Sequence, residues 1–268
     1  MSDFLTITNT MNKKNPTVLQ SGNNKYYVFD TPGTYTIQLK DTQITDLSYL
    51  VVGGGGGSSG TFGANGGQIQ YGSLSVATNR NYTVTVGAGG TVDQTGRVVN
   101  GGNSSIFNTT SNTMVVSASG GNSTTKTDEY SLGGDGNNGA LKDTEGDTKG
   151  STIKYTVIPG IVDYKYKMIA GLGGLGLSSD YFNGKNANLG GIKMAGGGGG
   201  PVYKNIPGIG SDGGATNGAN NNKAMYGGGG CGVYPNTNAS IGGDGVLVIQ
   251  YTMMGTNISE KPKLVSAS

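Results

Sequence analysis

Five consecutive glycines, Gly53, Gly54, Gly55, Gly56 and Gly57, follow directly on the apolar run Leu50-Val51-Val52. A second run of five, Gly196, Gly197, Gly198, Gly199 and Gly200, ends at Pro201, and a run of four, Gly227, Gly228, Gly229 and Gly230, precedes Cys231. No other feature limits so strongly what the chain can fold into. Such a run is a phosphate-binding loop, a flexible linker, or a packed element whose neighbours come too close for side chains. Glycine loses more conformational freedom on folding than any other residue. The 53 glycines among 268 residues must therefore build something or leave the chain disordered. Between them lie β-branched and aromatic stretches, KYYVF, YTVTV, STIKYTVI and DGVLVIQY, of a kind that disordered chains lack. An ordered chain is expected.

The phosphate-loop reading fails on the residues downstream of the glycines. A G-x-G-x-x-G pattern occurs at Gly55, Gly57 and Gly60 and again at Gly171, Gly173 and Gly176. In a dinucleotide-binding unit the third glycine opens a helix whose N-terminus holds the pyrophosphate. The residues after Gly60 read TFGANGGQIQYG and those after Gly176 read LSSDYFNGKNANLGG, and neither can be a helix. No G-x-x-x-x-G-K-[ST] stands anywhere, so no nucleotide or other cofactor is expected.

Charge and residue types exclude further classes. The net charge is +2 with 13% charged residues, and no basic block exceeds Lys13-Lys14, so nucleic acid is not an expected partner. No apolar run approaches the ~20 residues that span a bilayer, and MSDFLTITNT lacks a basic and then apolar leader. The product is expected to be soluble, without membrane insertion. Histidine is absent, which removes the usual acid–base group and the commonest zinc ligand, and no enzyme activity is expected. Asp143, Glu145 and Asp147 loosely imitate a calcium loop, but Lys154 stands where the bidentate glutamate belongs, so no metal is expected either. The single cysteine, Cys231, reads as a small buried apolar residue.

Residues 1–50 read as ordinary β structure, with strands on either side of a turn at Asp30-Thr31-Pro32-Gly33. Residues 51–252 repeat a glycine cluster, a polar loop and a short strand at irregular spacing. Asn-Gly pairs at Asn65, Asn100, Asn138, Asn183 and Asn217 read as chain reversals. Residues 253–268 read as a polar tail. No stretch of eleven residues shows a helical period free of glycine, so the fold class expected is all-β or irregular with almost no α-helix. In the extended left-handed helix, with three residues per turn and ~3.1 Å rise, every backbone N–H and C=O points outward. A buried segment must then find partners on its neighbours. All-glycine runs are expected to be central helices of a polyglycine II bundle, and shorter Gly-Gly clusters peripheral ones with one face turned outward.

The succession YLVVGGGGG, GGQIQYGSLSVATNRNYTVTVGAGG, NGGNSSIF, AGGGGG, YGGGGCG and GGDGVLVIQY resembles the glycine-rich domain of viral virion proteins, best known in adhesins at the tips of bacteriophage long tail fibres. The resemblance covers roughly residues 25–252, and Lys149 to Met168 stands outside it. It implies a virion location, docking onto other virion proteins through the termini, and recognition of a host surface receptor by loops between polyglycine helices. Tyrosine offers large amphipathic area at low entropic cost. The candidate contact residues are therefore Tyr164, Tyr166, Tyr181, Phe182, Tyr203 and Tyr234. The alternative is a minor capsid or filament-forming subunit without receptor binding.

Overall fold

The computed structural model describes residues 5–9, 14–21, 24–39, 46–59, 63–75, 80–93, 95, 97–125, 151–154, 168–172, 177–178, 193–194, 227–231 and 240–252. Among these residues there are strands and no helix. Five strands, β1 (Leu5–Asn9), β4 (Gly33–Leu39), β7 (Asn81–Val86), β8 (Ser104–Asn108) and β9 (Thr113–Ala118), form one antiparallel sheet in the order β1-β4-β7-β8-β9. Five others, β2 (Thr17–Ser21), β3 (Asn24–Phe29), β5 (Asp46–Val52), β6 (Ile69–Ser75) and β14 (Val246–Thr252), form a second in the order β2-β3-β14-β5-β6. Two short pairs complete the set: β10 (Ser151–Lys154) with β11 (Met168–Leu172), and β12 (Leu177–Ser178) with β13 (Lys193–Met194).

The two large sheets pack face to face because their strands alternate. Tyr35, Ile37 and Leu39 of β4 and Tyr82, Val84 and Val86 of β7 point inward, with less buried residues between them. They meet Tyr27, Phe29, Val51, Leu247 and Ile249 of the second sheet in one apolar cluster. Phe29 and Tyr35 pack edge to face at 5.1 Å, and the Tyr35 hydroxyl donates to the Thr31 carbonyl at 2.9 Å. These contacts hold the turn at residues 30–32, which carries the chain from the second sheet to the first rather than closing a hairpin. Gly33, at φ 148°, sits where side chains are rarely tolerated. An apolar void of about 10 Å³ lies between the sheets beside Ile37, Leu47 and Ile249, with no room for a ligand.

Residues far apart in sequence share these sheets. The last strand, β14, lies between β3 and β5, and β1 pairs with β4. The boundary expected at residue 50 falls inside β5, and the N-terminal strands are hydrogen-bonded into the same two sheets as the glycine-rich part. β5, β7 and β9 run straight into glycine segments 53–59, 87–91 and 119–125. Segments 63–68, 99–103 and 240–245 lead straight into β6, β8 and β14. One end of the sandwich is thus continuous with the glycine bundle. Leu5 opposite Leu39, and Thr252 opposite Asn24, lie at the other end.

Candidate functional site

Segment 53–59 is the axis of the bundle. Gly53 and Gly56 both donate to segment 63–68, at the Gln68 and Asn65 carbonyls (3.0 and 2.9 Å). Gly54 donates to Gly102 (2.9 Å), and Gly55 and Ser58 donate to Gly243 and Ser240 (both 2.8 Å). The carbonyls of Gly54 and Gly57 accept from Gly121 and Thr124 (2.7 and 3.0 Å), that of Gly55 from Gly90 (2.7 Å), and that of Gly56 from Gly230 (2.8 Å). Partners repeat at every third residue, as a threefold helix requires. The axis therefore touches six segments, giving N–H groups to three and accepting from three.

The six also bond to each other around the axis. Gly67 donates to Gly227, Gly243 to Gly228, Gly242 to Gly90, Gly102 to Ala88, Gly101 to Gly121, and Asn65 to Asn122, which closes a ring of 63–68, 227–231, 240–245, 87–91, 99–103 and 119–125. Glycine is needed for closeness rather than for unusual backbone angles. Among the described glycines only Gly33 and Gly227 have positive φ. A Cβ at Gly53, Gly54, Gly55 or Gly56 would instead overlap the carbonyl oxygen of Ser119, Ala88, Gly228 or Asn122. The N–H groups of Gly53 to Gly57 are all engaged, Gly57 donating to Ser123 Oγ at 2.8 Å, and none is left to cradle a phosphate.

Side chains enter where the ring has no neighbour outside it. Five ring segments carry the pattern x-Gly-Gly-x, at 65–68, 88–91, 100–103, 119–122 and 241–244, and the outer residues are exposed or half-buried. Asn100 and Asn103, three apart, accept through Oδ1 from the N–H groups of Ser123 and Gly120 (2.8 and 2.9 Å), also three apart. Asp244 Oδ1 accepts from Gly89 and Ser104 Oγ from Gly87, both at 2.9 Å. These polar side chains replace the carbonyls that missing helices would supply. The Asn-Gly pairs at Asn65 and Asn100 are therefore parts of straight bundle segments and not the reversals expected of them. The other three lie outside the described residues. A tight turn does occur at 109–112, where Asn108 Oδ1 accepts from Thr110 and Ser111 (both 3.0 Å) and Asn112 takes φ 55°.

At the end of the bundle remote from the sandwich, the chain leaves at Ser59, Thr91, Thr125 and Cys231 and returns at Gly63, Val99 and Ser240. In the loop between Thr91 and Val99, Val92 bridges Val98, and Asp93 Oδ1 accepts from the N–H groups of Thr95 and Arg97 (both 2.9 Å) and the Thr95 hydroxyl (2.6 Å). Those bonds, led by the hydroxyl, hold the Asp93 carboxyl below its ordinary pKa. Cys231 is fully buried, its N–H donates to Ser240 Oγ at 3.0 Å, and burial pushes its thiol pKa up.

The candidate contact residues Tyr164, Tyr166, Tyr181, Phe182, Tyr203 and Tyr234, and the run Gly196 to Gly200, lie outside the described residues. Among the described residues no three His, Cys, Asp or Glu side chains gather as a metal ion would need. A family model described as a glycine-rich domain matches residues 30–252. No curated protein matches the chain.

Proposed function

Because this chain belongs to the glycine-rich domain family, matched over residues 30–252, we propose that its bundle is a rigid stalk presenting recognition loops on the surface of a virion. The chain is anchored to other virion proteins through its terminal segments. It binds a host surface receptor, protein or glycan, through the loops at the far end of the bundle, and it catalyses nothing.

The observation that carries this reading is the polarity of the molecule. The described chain begins at Leu5 and ends at Thr252 at one end of the sandwich, while the bundle loops gather at the opposite end. A support held by backbone hydrogen bonds on six sides gives loops a fixed base, and loops on rigid scaffolds are where recognition concentrates. Tyr234 falls in sequence between Cys231 and Ser240, both at that loop end.

Antibody raised against the full chain should decorate the outside of intact particles, and the soluble protein should bind host cells and compete with particle adsorption. Tyr234→Ala should weaken cell binding while leaving the melting temperature unchanged. Labelling only after particles are opened, together with no binding to cells, would replace this reading with that of an internal capsid or filament subunit.

A further inference from the structure

We propose that the sandwich and the bundle carry a third layer on the outer side of the second sheet, and that Gly196–Gly200 is its central polyglycine helix, packed against Gly227–Gly230. Two separate observations lead there.

The first is segment 227–231 itself. Its described hydrogen bonds go to segments 53–59, 63–68 and 240–245, which fill one half of its surroundings. Each of the other five ring segments shows an exposed or half-buried residue on its outer side, yet Gly227, Gly228, Gly229, Gly230 and Cys231 are all buried. It also lacks the side chains that mark an outer position. In composition and burial it matches the axis, Gly53–Gly57, which has neighbours all round.

The second is the outward face of the second sheet. Inward residues of β14 and β5 meet the first sheet, but the outward ones, Val248, Gln250, Leu50 and Val52, are buried as well, at 1%, 4%, 4% and 0% exposure. Tyr26 of β3 shares that face at 1%. Sheet and bundle are thus covered on the same side, since segment 227–231 lies across the axis from segment 99–103, which continues the first sheet.

The covering element beside segment 227–231 has to be free of side chains, because a Cβ at such a contact lands on a backbone carbonyl, as at Gly55 against Gly228. Outside the described bundle one run has five glycines in succession, 196–200. It repeats the arrangement of the axis: β13 (Lys193–Met194), paired with β12, leads through Ala195 into it, as β5, paired with β6, leads into Gly53. The x-Gly-Gly-x pattern recurs nearby at 132–135, 172–175, 189–192 and 212–215, a supply of peripheral segments for a second axis.

Hydrogen exchange of the full chain followed by mass spectrometry, across a urea series below unfolding, tests this without altering the protein. Packed segments open as cooperative units. Peptides covering 196–200 and 227–231 should both exchange about a thousandfold more slowly than free chain and should open at the same urea concentration. Unprotected exchange at 196–200, or opening of that peptide apart from 227–231, would overturn the proposal. In Gly198→Ala, exchange at 227–231 should rise by about tenfold more than at 99–103 on the far side of the axis. An equal rise at both, or none at 227–231, would also overturn it.

Discussion

The sandwich and the bundle are made by the same chain segments passing from one to the other, yet opposite rules hold them together. In the sandwich, Val51 and Leu247 fill space, and the hydrogen bonds of each strand lie in the plane of its sheet. Two residues further along β5, at Gly53, space is what must not be filled, and hydrogen bonds radiate in six directions. The switch occurs between Val52 and Gly53 without a turn. A protein core can evidently be built from side-chain volume or from its absence, provided every backbone polar group finds a partner.

That contrast is most severely tested by adding one methyl group. Gly55→Ala drives a Cβ into the Gly228 carbonyl and disturbs bonds to Gly243 and Gly90, so a loss of about 3–6 kcal/mol is expected in denaturant unfolding. An unchanged midpoint would mean that the bundle is not packed as described. The mirror experiment removes volume from the sandwich. Leu247→Ala, at a fully buried side chain, should cost about 2–5 kcal/mol through lost burial and the cavity left behind.

Alkaline pH separates the regions by chemistry. Tyr27 is 2% exposed, its hydroxyl has no hydrogen-bond partner, and burial, reinforced by nearby Tyr251, pushes its pKa up to about 12. The unfolded chain releases this proton near pH 10 while the folded one retains it, so stability falls between pH 10 and about 12, by roughly 3 kcal/mol. Tyr27→Phe should flatten this part of the stability–pH curve and cost little at neutral pH. The smallest effects belong to the rim of the bundle. Asn103→Ala strands the Gly120 N–H and should cost about 1–2 kcal/mol, whereas Asn122→Ala, at an exposed third position, should stay within about 0.5 kcal/mol of the parent. Equal losses at the two would show that the rim asparagines do not cap the ring.

Much of this was legible in the residues. An all-β chain with packed glycine helices follows from the alternating stretches and from GGGGG after an apolar strand. What escaped was long-range. Nothing local tells β14 to lie between β3 and β5, or the turn at Asp30 to cross between sheets, because such pairings are settled by packing across the whole chain. The Asn-Gly pairs misled for a related reason. Asn65-Gly66 and Asn100-Gly101 carry a strong local turn preference, which the surrounding carbonyls override. The signal that would have corrected it was the third-residue spacing of x-Gly-Gly-x, in which Asn100 and Asn103 fall on one face. The recognition residues were chosen from side-chain type alone, and type does not say where a loop points.

The route by which the chain reaches this state depends on where β14 stands. Gly55 bonds to Gly243, and Leu50 and Val28 are joined only through Val248, so both the axis and the second sheet wait for the last described stretch. A chain emerging from the ribosome cannot complete its middle before residue 252 is free, and earlier residues must remain unassembled or make provisional pairs until then. Closing such distant contacts is slow. A nascent chain stalled before residue 240 should therefore be open to protease along its whole length, and release of the remaining few dozen residues should convert it to the resistant form in one step.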